Sequence, residues 1–110
     1  MKGTNLGSFE ELILLAVEAL GDDAYGVPVQ ELAEENAERA VSLGAVYAAL
    51  DRLENKGFLA SRIEAGGDYR GGRSRRHFAT TMEGRAVLAD VKRQRDAMWR
   101  MIASASRRRV

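Results

Sequence analysis

The sequence predicts a mainly α-helical fold carrying one small β-hairpin, and three observations point there. The first half holds three segments whose apolar residues recur at helical spacing. From Phe58 to Thr80 the texture changes to short alternating segments around Gly66, Gly67, Gly71 and Gly72. From Thr81 onward helical spacing returns, close to a seven-residue rhythm. Helix, helix, helix, hairpin, helix is the element order of a winged helix-turn-helix extended by a long C-terminal helix. In that architecture the third helix enters a DNA major groove and the hairpin, the wing, lies along the backbone. A chain of 110 residues fits one such domain and has no room for a second of ordinary size.

The first helix is expected after Ser8, with Glu10 and Glu11 in the turn where the helix dipole favours anions, and with Leu12, Leu15, Ala16, Ala19 and Leu20 as its inner face. Gly21 ends it. The second should begin near Val27, because Pro28 is tolerated in a first turn, and end near Ala37 with Val29, Leu32 and Ala33 turned inward. Ser42 is placed to cap the third, which runs to Lys56 before a left-handed stop at Gly57. Two strands follow, Phe58 to Glu64 and Ser74 to Thr80, joined by the glycine-rich tip. Thr81 caps the final helix, in which Leu88, Val91, Met98 and Ile102 form the repeat, and the tail from Arg107 is expected to fray.

Composition narrows the function. Without cysteine there are no disulfides, thiolate metal sites or cysteine nucleophiles. The longest apolar run, Leu12 to Val17, is far shorter than a membrane span, and Met1 to Glu11 lacks a secretory pattern, so a soluble cytoplasmic protein is expected. No nucleophile is paired with a base, no glycine loop carries the Lys-Ser/Thr of a phosphate cradle, and His77, the one histidine, lacks partners at metal-ligand spacing. An enzyme and a bound metal or cofactor are therefore not expected. The net charge of +1 conceals a division: Met1 to Gly57 has 4 basic and 11 acidic residues, and Phe58 to Val110 has 13 basic and 5 acidic. Either the second half meets a polyanion, or the halves attract one another, or both.

The stretch from Val41 to Leu59, with Gly44-x-x-Tyr47 followed by Leu50-x-x-Leu53-Glu54-x-x-Gly57, resembles the recognition-helix signature of PadR-like transcriptional regulators. Gly71 to Gly84, with the Arg75-Arg76 pair, Phe78 and Thr81-x-x-Gly84, is similar to that family's wing and the opening of its last helix. Asp23-Ala24-Tyr25-Gly26 matches the Tyr-Gly before its second helix. The resemblance spans about Leu6 to Ile102. It implies a DNA-binding domain over 6–80, with the recognition helix at about 42–56 and the wing at about 58–80, then a dimerisation helix over 81–105 and a frayed tail at 106–110. It implies a homodimer formed through that last helix and, in some members, a hydrophobic effector site beside it.

Residue by residue, a helical wheel puts Leu43, Val46, Leu50 and Leu53 on the core side of the third helix and Gly44, Ala45, Ala48, Arg52 and Asn55 opposite. Small residues let a helix approach base edges closely but offer few hydrogen bonds, so Ser42, Gly44, Ala45, Ala48 and Arg52 are candidate groove residues with thin direct readout. Tyr47 either reaches a phosphate or seals the core. Arg70, Arg73, Arg75 and Arg76 form a run without an acid, read as phosphate or minor-groove contacts or as a solvated charge cluster. Tyr69 either stacks or rests on its hairpin. Leu88, Val91, Met98 and Ile102 are the candidate dimer stripe, and Met98 and Trp99 the candidate effector contacts, with plain dimer packing as the alternative. The expected function is a homodimeric repressor that binds a roughly palindromic operator in double-stranded DNA and is released by a signal or ligand. The alternative is a winged-helix interaction module whose basic wing meets an acidic protein surface.

Overall fold

A computed structural model describes residues 6–65 and 74–108 of the chain. Its elements are α1 (Ser8–Leu20), a single 3₁₀ turn (Gly21–Asp23), α2 (Gly26–Ala37), α3 (Leu43–Asn55), β1 (Leu59–Glu64), β2 (Arg75–Thr80) and α4 (Met82–Arg108). The fold is mainly helical: a three-helix bundle with a β-hairpin wing and a long C-terminal helix. Arg70, Arg73 and Tyr69 lie outside the described residues.

The N-cap of α1 is Gly7, one residue earlier than expected. Glu10 makes this start workable by accepting a hydrogen bond from the Gly7 backbone N–H at 3.2 Å. The helix is also rotated from the expected orientation: Ile13, Leu14 and Val17 are buried, whereas Leu15 is 47% exposed. Six consecutive apolar residues leave the rotation open to spacing arguments. The observed rotation also turns the Glu10 carboxylate toward Arg52 of α3 and Lys56 at its end.

Pro28 sits in the first turn of α2, where its missing N–H is harmless. Glu38 takes the left-handed conformation that closes this helix, and Val41 N–H then donates back to Glu34 at 2.9 Å. Ser42 caps α3 as expected, its Oγ accepting from Ala45 N–H at 3.0 Å, and Gly57 adopts φ +84° beyond the helix end. The buried face of α3 is Val46, Ala49, Leu50 and Leu53. It packs with Ile13, Leu14, Val17 and Val29 into one core, in which each fully buried large side chain contributes about 1.5–3 kcal/mol.

The strands pair antiparallel from Leu59 opposite Thr80 to Glu64 opposite Arg75. Leu59, Phe78 and Thr80 are buried, and Phe78 N–H donates to Ala24 O at 2.9 Å, which ties β2 to the segment before α2. Thr81 does cap α4: its Oγ1 accepts from Gly84 N–H at 3.0 Å and donates to Gly57 O at 2.7 Å. A Cβ on Gly84 would lie 2.2 Å from the Phe58 carbonyl oxygen, so only glycine lets α4 lie this close to the turn after α3.

Val87 is buried, and Leu88 and Val91 are half-buried against this chain's own core. The four-residue stripe expected at a dimer contact is thus divided, because its first two residues already have intramolecular cover. Beyond them Met98, Trp99, Met101 and Ile102 are 55–68% exposed. The helix continues to Arg108, past its expected end at 105, and stretches the molecule to 69 × 30 × 20 Å.

Candidate nucleic-acid interface

Ser42, Gly44, Ala45, Tyr47 and Ala48 are all exposed on the side of α3 facing away from the core, and no acidic residue stands among them. The result is a shallow surface that a duplex groove can approach closely. Tyr47 is 37% exposed and its ring lies across the N-terminus of α2. There a Cβ at position 26 would meet its hydroxyl at 2.2 Å, which is why glycine follows Tyr25. The tyrosine therefore both covers the bundle and leaves an edge in solvent.

Arg52, at the far end of the same surface, keeps half its side chain in solvent while its Nε donates to Glu10 Oε2 at 2.9 Å. Lys56 Nζ reaches the other oxygen of Glu10 at 2.7 Å. Burial of this carboxyl opposes ionisation, but hydrogen bonds from Lys56, Arg52 and the Gly7 amide outweigh it and hold Glu10 below its ordinary value.

The wing arginines have different surroundings. Arg75 is exposed and its guanidinium lies 4.5 Å from the centroid of the Tyr25 ring. Tyr25 also packs against His77, ring centroids 5.2 Å apart. His77 is buried in β2 with Nε2 2.9 Å from Glu64 Oε1, yet not aligned for a hydrogen bond. The Asp23-Ala24-Tyr25-Gly26 segment thus acts as a seat for the wing: Ala24 supplies a carbonyl, Tyr25 an aromatic face and Gly26 the space for Tyr47. Tyr25 was noted in the sequence only as part of the motif before α2; its role beneath the wing was not legible there, since its partners Arg75 and His77 lie far along the chain.

Arg76, expected in the open basic run, turns onto α3 instead. Nη1 donates to Asp51 at 2.9 Å and Nη2 to Glu54 at 2.5 Å, and the guanidinium lies 4.8 Å from the Phe78 ring centroid. Ser61 Oγ donates to Glu54 at 2.7 Å and receives a long contact from Arg76 Nε at 3.4 Å. The Ser61 hydrogen bond, with support from Arg76, keeps Glu54 below the ordinary glutamate value despite partial burial.

Other pairs join the acidic first half to the basic second. Arg85 reaches Glu18 at 3.2 Å, and Arg95 forms a fork with Glu11 at 2.9 and 2.6 Å. The Arg95 fork with α1 is intramolecular, while Asp90 pairs with Arg93 and Asp96 with Lys92. Of the two explanations for the divided charge, attraction between the halves is plainly present. Among the described residues no cluster of His, Cys, Asp and Glu could hold a metal ion, and no helix is long and apolar enough to cross a membrane.

Comparison with known proteins agrees with this geometry. The model of the transcriptional regulator PadR-like family matches residues 13–90. A PadR family transcription regulator from hypervirulent Clostridium difficile is 30% identical, with 93% of this chain and 97% of that one aligned at a TM-score of 0.60. A PadR family transcriptional regulator from Eggerthella lenta is 26% identical over 86% of this chain and 80% of that one, TM-score 0.64. Bacillus subtilis PadR, solved in complex with operator DNA, shares the fold at 19% identity and TM-score 0.64. The alignment covers 76% of this chain and 46% of that longer one. No curated protein matches the sequence.

Proposed function

The chain belongs to the PadR-like family of transcriptional regulators, a non-enzymatic family, and from that premise we propose that it binds operator DNA as a homodimer, with α3 in the major groove and the hairpin along the backbone. The observation that carries the reading is the outward side of α3 from Ser42 to Ala48, exposed, small and free of acids beside a hairpin with cationic residues. The operator complex of Bacillus subtilis PadR supports it by likeness of fold. In this reading Ser42, Gly44, Ala45, Tyr47, Ala48 and Arg52 face the duplex, and Arg70, Arg73 and Arg75 contact phosphates or a narrow minor groove.

The dimer forms through the outer half of α4. Met98, Trp99, Met101 and Ile102 are each more than half exposed within one chain. An apolar groove of about 370 Å³ lined by Leu12, Leu15, Ala16, Ala19 and Leu32 is also open along α1 and α2. Two-fold pairing presents two recognition helices to a roughly palindromic site, about 34–36 Å or a multiple apart. The regulator acts as a repressor, released when a planar or lipophilic effector settles against Met98 and Trp99 at the paired helices.

A gel shift over a salt series, using duplexes recovered by selection from random DNA, tests the reading. Duplex binding that weakens steeply with salt and prefers the selected sequence is expected. Salt-insensitive or absent duplex binding, with retention on an acidic protein surface, would replace it by the interaction-module alternative.

A further inference from the structure

We infer that Arg76 is a positioning residue that locks the wing to the recognition helix and thereby sets the spacing at which both meet DNA. The inference rests on the DNA-binding reading above and changes the role of one residue within it.

Among the described residues the wing is a sheet of two strands, and such a hairpin is at best marginally stable alone, so its orientation must come from contacts with the bundle. On one side those contacts are the Ala24 carbonyl and the Tyr25 ring. On the other side stands Arg76, whose planar fork spans one helical turn of α3 from Asp51 to Glu54, while Phe78 and Ser61 hold it from the hairpin. Asp51 and Glu54 lie on the flank of the same helix whose outward side carries Ala45 and Ala48. A shift of the wing relative to α3 therefore has to break this fork.

The charge arrangement argues against a phosphate contact by the same residue. One guanidinium among two carboxylates leaves the spot net negative, and a phosphate approaching Arg76 would meet Asp51, whose side chain is 55% exposed. The geometry needs arginine in particular: the two carboxylates are engaged by different terminal nitrogens, a bridge that the single ammonium of lysine does not reproduce.

The two roles give opposite signs on removal of the acids. If Arg76 only supplied charge to DNA, Asp51→Asn with Glu54→Gln would free it, make the surface more cationic and tighten binding. If Arg76 positions the wing, the acid double variant binds a selected duplex about tenfold or more weaker than wild type despite its added positive charge. Arg76→Ala and Arg76→Lys should weaken binding in the same way. The salt slope falls in each variant as wing contacts to phosphate are lost, by about 0.9 per contact. Thermal unfolding of each variant checks that the fold is intact, and the half-exposed Asp51→Asn alone provides the sign if the double variant is unstable. Equal or tighter binding by the acid variants, or full binding by Arg76→Lys, overturns the positioning role while leaving the DNA reading in place. Failure of wild type to bind any duplex overturns both.

Discussion

Glu10 joins α1 to α3 through a carboxylate that is 7% exposed as a residue and engaged by Gly7, Arg52 and Lys56 at once. Its ionisation lies below the ordinary glutamate value of 4.5, because those hydrogen bonds outweigh the opposing effect of burial. A group with a depressed folded value contributes its full stability above the unfolded value and loses it as pH falls through the folded one. Glu10→Gln should therefore destabilise the protein by about 1–2 kcal/mol at neutral pH, the range for hydrogen bonds to a charged group after allowance for the solvent-exposed side of Arg52. The difference from wild type should shrink below pH 4.5 as the native carboxyl is itself protonated. Urea unfolding at several pH values measures both, and equal neutral stability would mean that the bridge contributes nothing. At the same scale, Ala48 is exposed, so Ala48→Glu should alter stability by no more than about 0.5 kcal/mol. It should nevertheless abolish selective binding of an operator by placing a carboxylate and its bulk in the groove. Normal operator binding by a stable Ala48→Glu protein would remove this side of α3 from the groove.

At the level of elements, the start of α4 depends on close packing. Gly84→Ala puts a methyl 2.2 Å from a backbone oxygen, which cannot rotate away, so α4 must lift from the turn at Phe58. A loss of about 1–3 kcal/mol is expected in spite of alanine's better helix propensity, and an unchanged denaturant midpoint would show that the helix moves freely. This contact also shows which parts of the fold were legible in the sequence. The caps at Ser42 and Thr81 and the stops at Gly21 and Gly57 are local chemistry, and each was readable from a few neighbouring residues. The wheel of α3 was readable for Val46, Leu50 and Leu53, because polar and small residues alternate with its apolar ones, but Leu43 is only half-buried and Ala49, not expected inside, is buried. The rotation of α1 was not, since Leu12 to Val17 is apolar all round and Glu10, which that rotation turns toward α3, has its cations 42 and 46 positions away. Arg76 was grouped with the other wing arginines, as a DNA contact or part of a solvated cluster, for a similar reason: its partners are 25 and 22 residues distant, and nothing in the spacing of Arg73, Arg75 and Arg76 distinguishes one from another.

For the whole molecule, the decisive feature is that the bundle ends well before α4 does. Met98→Asp with Ile102→Asp changes residues that touch no core of their own chain, so the monomer fold should survive while the proposed dimer, forced to bury carboxylates, should not. Sedimentation at tens of micromolar reports the outcome: a dimer for wild type, a monomer for the double variant, and with it the loss of tight operator binding. A wild-type monomer that still binds one palindromic operator tightly would overturn the dimer. The continuity of α4 also has a mechanical consequence. From its cap at Thr81 to Arg108 the helix contains no proline and no glycine after Gly84, so it behaves as a stiff rod about 40 Å long. Clamped at one end by the wing and, in the proposed dimer, paired at the other, it would act as a lever: a tilt of about 10° about Trp99 would swing the wing end, roughly 26 Å away, through about 4–5 Å, most of the width of a minor groove. A ligand no larger than an indole would then need only to wedge the outer ends of two helices apart for the reading heads to fall out of register with the double helix.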